Sequence, residues 1–183
     1  MENPASGILL IADPFLKDPN FSRTVILLAE HQASGSLGFV LNKPLDYTLD
    51  DLVAEAAGLT LPLFSGGPVQ TDTLHFLHRY SDVIPGSRVL TDGLCWGGDF
   101  EVTLALLRSG DIDPEGIRFY IGYSGWGGGQ LDHELEGKTW LTVGAIRKVV
   151  LGTPAAEVWK EALRLMGKEY EVMANFPIDP QLN

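Results

Sequence analysis

The sequence predicts an α+β fold in a single domain over 1–183, with a mixed, largely antiparallel sheet flanked by helices. Short apolar runs rich in Ile, Leu and Val follow one another at hairpin-length spacing: "GILLIA" (7–12), "RTVILLAEH" (23–31) and "SLGFVLNKP" (36–44). Helical patterns interrupt these runs irregularly, unlike the strict alternation of a doubly wound fold. A length of 183 residues, 45% apolar and 20% charged, is that of an ordinary globular chain with one core.

Taken in order, 7–12 and 23–31 read as buried strands, joined by "DPFLKDPNF" with its Asp-Pro turn signals. An Ala-Ser-Gly turn makes the second and third strands a hairpin, and Pro44, lacking an N–H, is expected to end the third. A first helix is expected over 47–58, capped by Thr48, favoured at its start by Asp50 and Asp51, and terminated at Gly58. Strands follow at 61–69, 73–80 and 88–98, the last interrupted at Gly93. Asp99 caps a second helix that Arg108 and Gly110 close. A strand at 116–124 feeds the glycine-rich stretch "GYSGWGGGQLDHELEG" (122–137), whose helix runs over about 130–135. A last strand at 138–145 precedes a helix with Thr153 as cap and Pro154 at its first position.

Charge narrows the partners. Thirteen basic against 24 acidic residues leave a net charge of −11, which repels phosphate backbones and anionic membrane surfaces. The densest basic feature is the bare pair Arg147-Lys148. Cys95 stands alone, so neither an intrachain disulfide nor a cysteine zinc site can form; a reducing cytoplasm fits. Neither a signal peptide nor a membrane-length apolar run is legible.

The residues offer three chemistries. Strand, glycine turn and helix can aim backbone N–H groups at a ligand, yet the run after Trp126 fits neither the dinucleotide nor the P-loop spacing. It is therefore a joint, with a cradle for a carbonyl or amide ligand at Gln130 left open. His75 and His78 fall on opposite faces of a strand, and no metal-ligand spacing appears elsewhere, so no metal and no cofactor are expected. Ser124 sits at a strand end as half of a nucleophile-elbow pattern; with His78 as base it would give a hydrolase or transferase.

"GILLIA", Asp18, Phe21 and Arg23 in "DPNFSRTVILLAEH", "GFVLNKP", "GGPV" at 66–69, Leu77-His78, and "GYSGWGGGQLDHEL" followed by Trp140 occur in one order along the chain. In that order they resemble the AlgH/YqgE family of bacterial proteins, over about 7–167. Glycine stands at 128 where that family commonly has proline, which loosens the first helical turn. The resemblance implies a single-domain α+β architecture with a mixed sheet, and a regulatory label with no agreed reaction. Polar matches in turns mark Arg23, Asn42, Gly66, Gly67, Trp126, Gly129, Gln130 and Glu134 as ligand-binding candidates. The turns at 42–44, 66–68 and 125–130 are expected to converge on one cleft.

The leading reading is a cytoplasmic, non-enzymatic regulatory or binding protein, monomeric or weakly homo-oligomeric. It would take a small molecule or a protein partner, with no nucleic acid and no membrane. A hydrolase or transferase at Ser124 and His78 is the alternative, and a direct DNA-binding regulator comes last.

Overall fold

The computed structural model of the chain describes residues 1–176, so the last seven residues of the expected domain, 177–183, lie outside it. Ten strands form one curled sheet: β1 (Ile8–Ala12), β2 (Val25–Gln32), β3 (Gly35–Val40), β4 (Pro44–Thr48), β5 (Pro62–Ser65), β6 (Val69–His78), β7 (Arg88–Thr91), β8 (Leu94–Trp96), β9 (Ile117–Gly127) and β10 (Trp140–Gly144). Their order is β10-β1-β2-β3-β9-β6-β8-β7, with β5 on β9 and β4 on β5. Every pairing is antiparallel except β5 with β9, as the sequence predicts for a mixed, largely antiparallel sheet. The far end curls back on the near one: Arg88 of β7 pairs with Glu30 of β2, and Asp92 accepts from the Arg147 N–H at 2.9 Å.

Among the described residues six helices cover this half-barrel: α1 (Leu49–Leu52), α2 (Phe100–Ser109), α3 (Gln130–Glu136), α4 (Arg147–Gly152), α5 (Val158–Leu165) and α6 (Lys168–Met173). The continuous apolar runs of β1 and β2 follow from burial on both faces. Leu9, Ile11, Val25 and Leu27 point into the concave core, which α4 and α5 close with Val149, Val150, Trp159 and Leu163. Ile8, Leu10, Ile26 and Leu28 point outward, where α3 covers them with Leu131. A third cluster beneath α1 and α2 gathers Leu49, Leu63, Phe76, Leu104 and Phe119. Each such side chain contributes about 1.5–3 kcal/mol on burial.

Four elements differ from the sequence reading. Strand three ends at Val40, and Pro44 instead opens β4, an edge strand in which its first residue needs no ladder N–H. The helix expected over 47–58 stops at Leu52, because Val53 turns extended; a 3-10 turn follows over Ala54–Ala56, and Leu52 is exposed. The strand expected at 88–98 is the hairpin β7–β8, turned at Asp92 and Gly93, both at positive φ. Thr153 caps no helix: it closes the unexpected α4, its hydroxyl donating to the Lys148 carbonyl, and α5 begins only at Val158.

The glycine-rich stretch is corrected most. Gly122 to Gly127 belong to β9, and only Gly128 and Gly129 turn the chain into α3. β9 changes partner along one edge, pairing first with β5 through Phe119–Ile121, then with β3 through Ser124–Gly127. β5 and β6 flank opposite edges of β9, so the chain between them must cross its face. Gly66 and Gly67 make that crossing: a Cβ on Gly67 would run into the Tyr123 carbonyl and the Ser124 nitrogen. A Cβ on Gly122 would stand 2.6 Å from the Gly67 oxygen, so the contact is glycine to glycine.

Candidate functional site

The residues singled out in the sequence fall at the β2 entrance, the glycine crossing and the start of α3, with His78 at the end of β6. Asn42 joins the β2 entrance, its side-chain oxygen accepting from the Val25 N–H at 3.1 Å and its amide donating to the Arg23 carbonyl at 2.8 Å. Arg23 is thereby held at φ 55, with its guanidinium 4.9 Å above the Trp159 ring and donating to the Phe176 carbonyl. Gly66 and Gly67 lie at the crossing, pinned by the Ser124 hydroxyl donating to the Gly66 carbonyl at 3.2 Å. Trp126, Gly129, Gln130 and Glu134 gather at α3. There one Glu134 oxygen accepts from the Trp126 and Trp140 indoles at 3.0 and 2.8 Å, and the other accepts from Gln130 at 3.1 Å. The Gln130 oxygen in turn accepts from the Gly127 N–H.

The three turns do not share a cleft. The turns at 42–44 and 66–68 adjoin, since the Ser65 N–H donates to the Lys43 carbonyl. Gly127 instead pairs with Gly35, at the opposite end of β3 from Asn42, about 23 Å away at roughly 3.3 Å per residue. Trp126 borders a separate shallow groove of about 410 Å³, whose one charged wall residue is Glu30.

Ser124 and His78 are also apart. His78 pairs with Ile117, so Ser124 lies seven residues further along β9, roughly 23 Å away. The buried imidazole is committed to the backbone: Nδ1 accepts from the Tyr80 N–H at 3.0 Å, which makes Nε2 the donor to the Gly97 carbonyl at 2.7 Å. Burial pushes its pKa below the ordinary value, partly opposed by the Gly97 bond. Among the described residues no group of three or more His, Cys, Asp or Glu side chains is placed to hold a metal ion.

A larger cleft of about 820 Å³ opens between the start of β9, β5 and α4. Its walls include Leu61, Pro62, Phe64, Ile117 and Leu151, and its charges are Arg79, Arg118, Arg147 and Lys148 against Asp92 and Glu115. Four of the 13 basic residues of an acidic chain thus meet at one opening. None of the four makes an ion pair within 4 Å among the described residues; the pairs there are Arg88–Glu30 and Arg164 with Glu161 and Glu171. Arg118 sits second in β9 with its guanidinium 5.4 Å from the Phe64 ring centre, Nη2 donating to the Thr153 carbonyl at 2.6 Å. Its Nη1 is buried without a partner, as is the hydroxyl of Tyr120, two residues on and on the same face.

Sequence reasoning missed this site. The signals were the lone arginine inside the apolar strand "IRFYIG" and the Arg147-Lys148 pair, 30 residues apart and joined only by the fold. Neither is a motif, so only their convergence gives them meaning.

Architecture and site together define a class: a single-domain α+β half-barrel whose central strand is crossed by a glycine pair and whose mouth is basic. The chain belongs to the AlgH-like family, DUF179, whose family model matches residues 9–171. It is 43% identical over 182 residues to a UPF0301 protein of Chlorobium phaeobacteroides, covering 100% of this chain and 97% of that one. A UPF0301 protein of Cytophaga hutchinsonii is 41% identical, covering 97% of this chain and 98% of its own. The solution structure of the AlgH protein from Pseudomonas aeruginosa aligns with a TM-score of 0.75 at 27% identity, over 97% of this chain and 99% of that one. A Corynebacterium diphtheriae crystal structure shares the fold with a TM-score of 0.74 at 22% identity, over 96% of this chain and 94% of that one.

Proposed function

We propose that this protein is a non-enzymatic binding protein, acting in the cytoplasm, whose ligand is a small organic anion held in the Arg118 cleft. The observation that carries this reading is the meeting of four basic side chains without ion-pair partners at a cleft walled by apolar groups. About 820 Å³ lies within the range of roughly 300–1,000 Å³ usual for small-molecule sites. A net charge of −11 keeps nucleic acid off the rest of the surface, so any regulatory role runs through the ligand or a protein partner. The single buried Cys95 suits a reducing compartment. Arg23, Asn42, Gly66, Gly67, Gln130 and Glu134 serve this site at a distance, as the bonds that hold the scaffold.

Thermal denaturation with octanoate and with phenyl phosphate tests the reading, comparing the protein with its Arg147→Ala/Lys148→Ala variant. Both residues are exposed, so the variant keeps its fold. Either ligand at about 100 times its Kd should raise the wild-type midpoint by several degrees and leave the variant unmoved. Equal shifts in both proteins, or none in either, would overturn the reading.

A further inference from the structure

Two buried donors stand side by side beneath the cleft with nothing to donate to. Arg118 Nη1 and the Tyr120 hydroxyl both lack a hydrogen-bond partner, and Tyr120 has no exposed surface at all. Leaving such groups unpaired costs about 1–3 kcal/mol each, more where a charge is involved. The Tyr120 phenol is held neutral by burial, against the pull of the Arg118 charge and of a hydrogen-bond contact with its guanidinium, so its hydroxyl keeps a proton to give. Arg118 Nη2 is already taken by the Thr153 carbonyl, which orients the guanidinium and leaves Nη1 free.

The surplus of protons decides what such a pair can bind. A water accepting both donors would bring two protons of its own needing acceptors, whereas a deprotonated oxygen only accepts. Even where the phenol oxygen accepts one Nη1 proton, the pair keeps more protons to donate than oxygens to receive them, beside a full positive charge, and that surplus selects an oxyanion. Phe64 separates this pair from the cleft. Its ring lines the opening, lies 5.4 Å from the guanidinium and 5.7 Å from the Tyr120 ring, and is 8% exposed. For a ligand to reach the pair, the Phe64 ring must turn aside, and the apolar body of the ligand would then lie against it.

Resting on the cleft reading above, we propose that Arg118 Nη1 and the Tyr120 hydroxyl form its anchoring subsite. They take one anionic oxygen of a carboxylate or phosphomonoester whose apolar body lies against Phe64, Ile117 and Leu151. Arg79, Arg147 and Lys148 supply attraction at the mouth, and the buried pair fixes the headgroup.

Isothermal titration of octanoate and of phenyl phosphate tests this on the wild type, on Tyr120→Phe and on Arg147→Ala/Lys148→Ala. Tyr120→Phe should weaken the preferred anion about 10-fold or more, since it removes a hydrogen bond to a charge. Its melting midpoint without ligand should stay within about 2 °C of the wild type, because the deleted hydroxyl gives its proton to no acceptor. Which probe loses more distinguishes a carboxylate from a phosphate headgroup. Unchanged affinity in Tyr120→Phe, with loss in the Arg147/Lys148 variant, would refute the anchor and leave the cleft standing. A midpoint lowered by several degrees in Tyr120→Phe would show that the hydroxyl is partnered, which also refutes it. No binding of either probe to the wild type would remove both proposals.

Discussion

Replacing Glu134 by alanine strands two indole N–H groups in one step. Its Oε2 is the acceptor for both Trp126 and Trp140, whose side chains are 9% and 3% exposed, so water reaches neither freely. An unpaired buried donor costs about 1–3 kcal/mol, and the half-buried carboxylate leaves room for partial rescue by water, so the pair is worth roughly 2–4 kcal/mol. For a chain of this length each kcal/mol moves the melting midpoint by about 2–4 °C, giving a fall of roughly 4–16 °C. Glu134→Gln keeps an oxygen for both indoles and loses only the exposed contact with Gln130, which costs about 1 kcal/mol. Urea titrations followed by tryptophan fluorescence measure both variants on one scale. If alanine and glutamine at 134 destabilise equally, within about 0.5 kcal/mol, the two-indole account is wrong.

The glycine crossing predicts a contrast: Gly67→Ala, blocked by the Tyr123 carbonyl and at φ +148, should cost about 3–5 kcal/mol from overpacking and strain together. Gly129→Ala, with open space around its Cβ and φ +75, should cost only about 1 kcal/mol in the same urea titration. Asn42→Ala removes both bonds that close the β2 entrance and should lower stability by about 1–3 kcal/mol, with faster amide exchange at Val25 as its local mark. Burial holds the His75 and His78 imidazoles below the ordinary 6.5, so the unfolded chain binds protons first as pH falls. Their contribution is complete above about pH 6.5 and is lost as pH drops through the lower folded values; His75→Phe, set among Phe39, Trp96 and Tyr123, should shrink the difference in urea midpoint between about pH 7.5 and about pH 5.5.

Legibility in the sequence followed the range of the interaction. The α2 helix was readable because its stops are local: Asp99 accepts from the Val102 N–H, and Gly110 takes the left-handed turn. The β2–β3 hairpin was readable for the same reason, and so was the start of α3. The helix at 47–58 was misread because Leu49, Val53 and Ala56 reach the third cluster through a helical turn, an extended residue and a 3-10 turn, where the spacing pointed to one continuous helix. Glycines at 66, 67 and 122 were legible as special but not as a crossing, since that role exists only once β5 and β6 take opposite edges of β9.

By itself the sequence determined the α+β class, the largely antiparallel sheet, the acidic surface and the family, because composition, short-range periodicity and motif order are written along the chain. Tertiary structure alone brought the basic cleft together. Arg79, Arg118 and the Arg147-Lys148 pair come from three stretches with nothing in common, and they meet because the curl of the sheet brings α4 onto the start of β9. It also decided that Ser124 and His78 stay apart, as a strand separates by about 3.3 Å per residue whatever it places in register. The unpaired Arg118 and Tyr120 donors belong to the same level, for a missing partner is a property of a packed interior and of no segment within it.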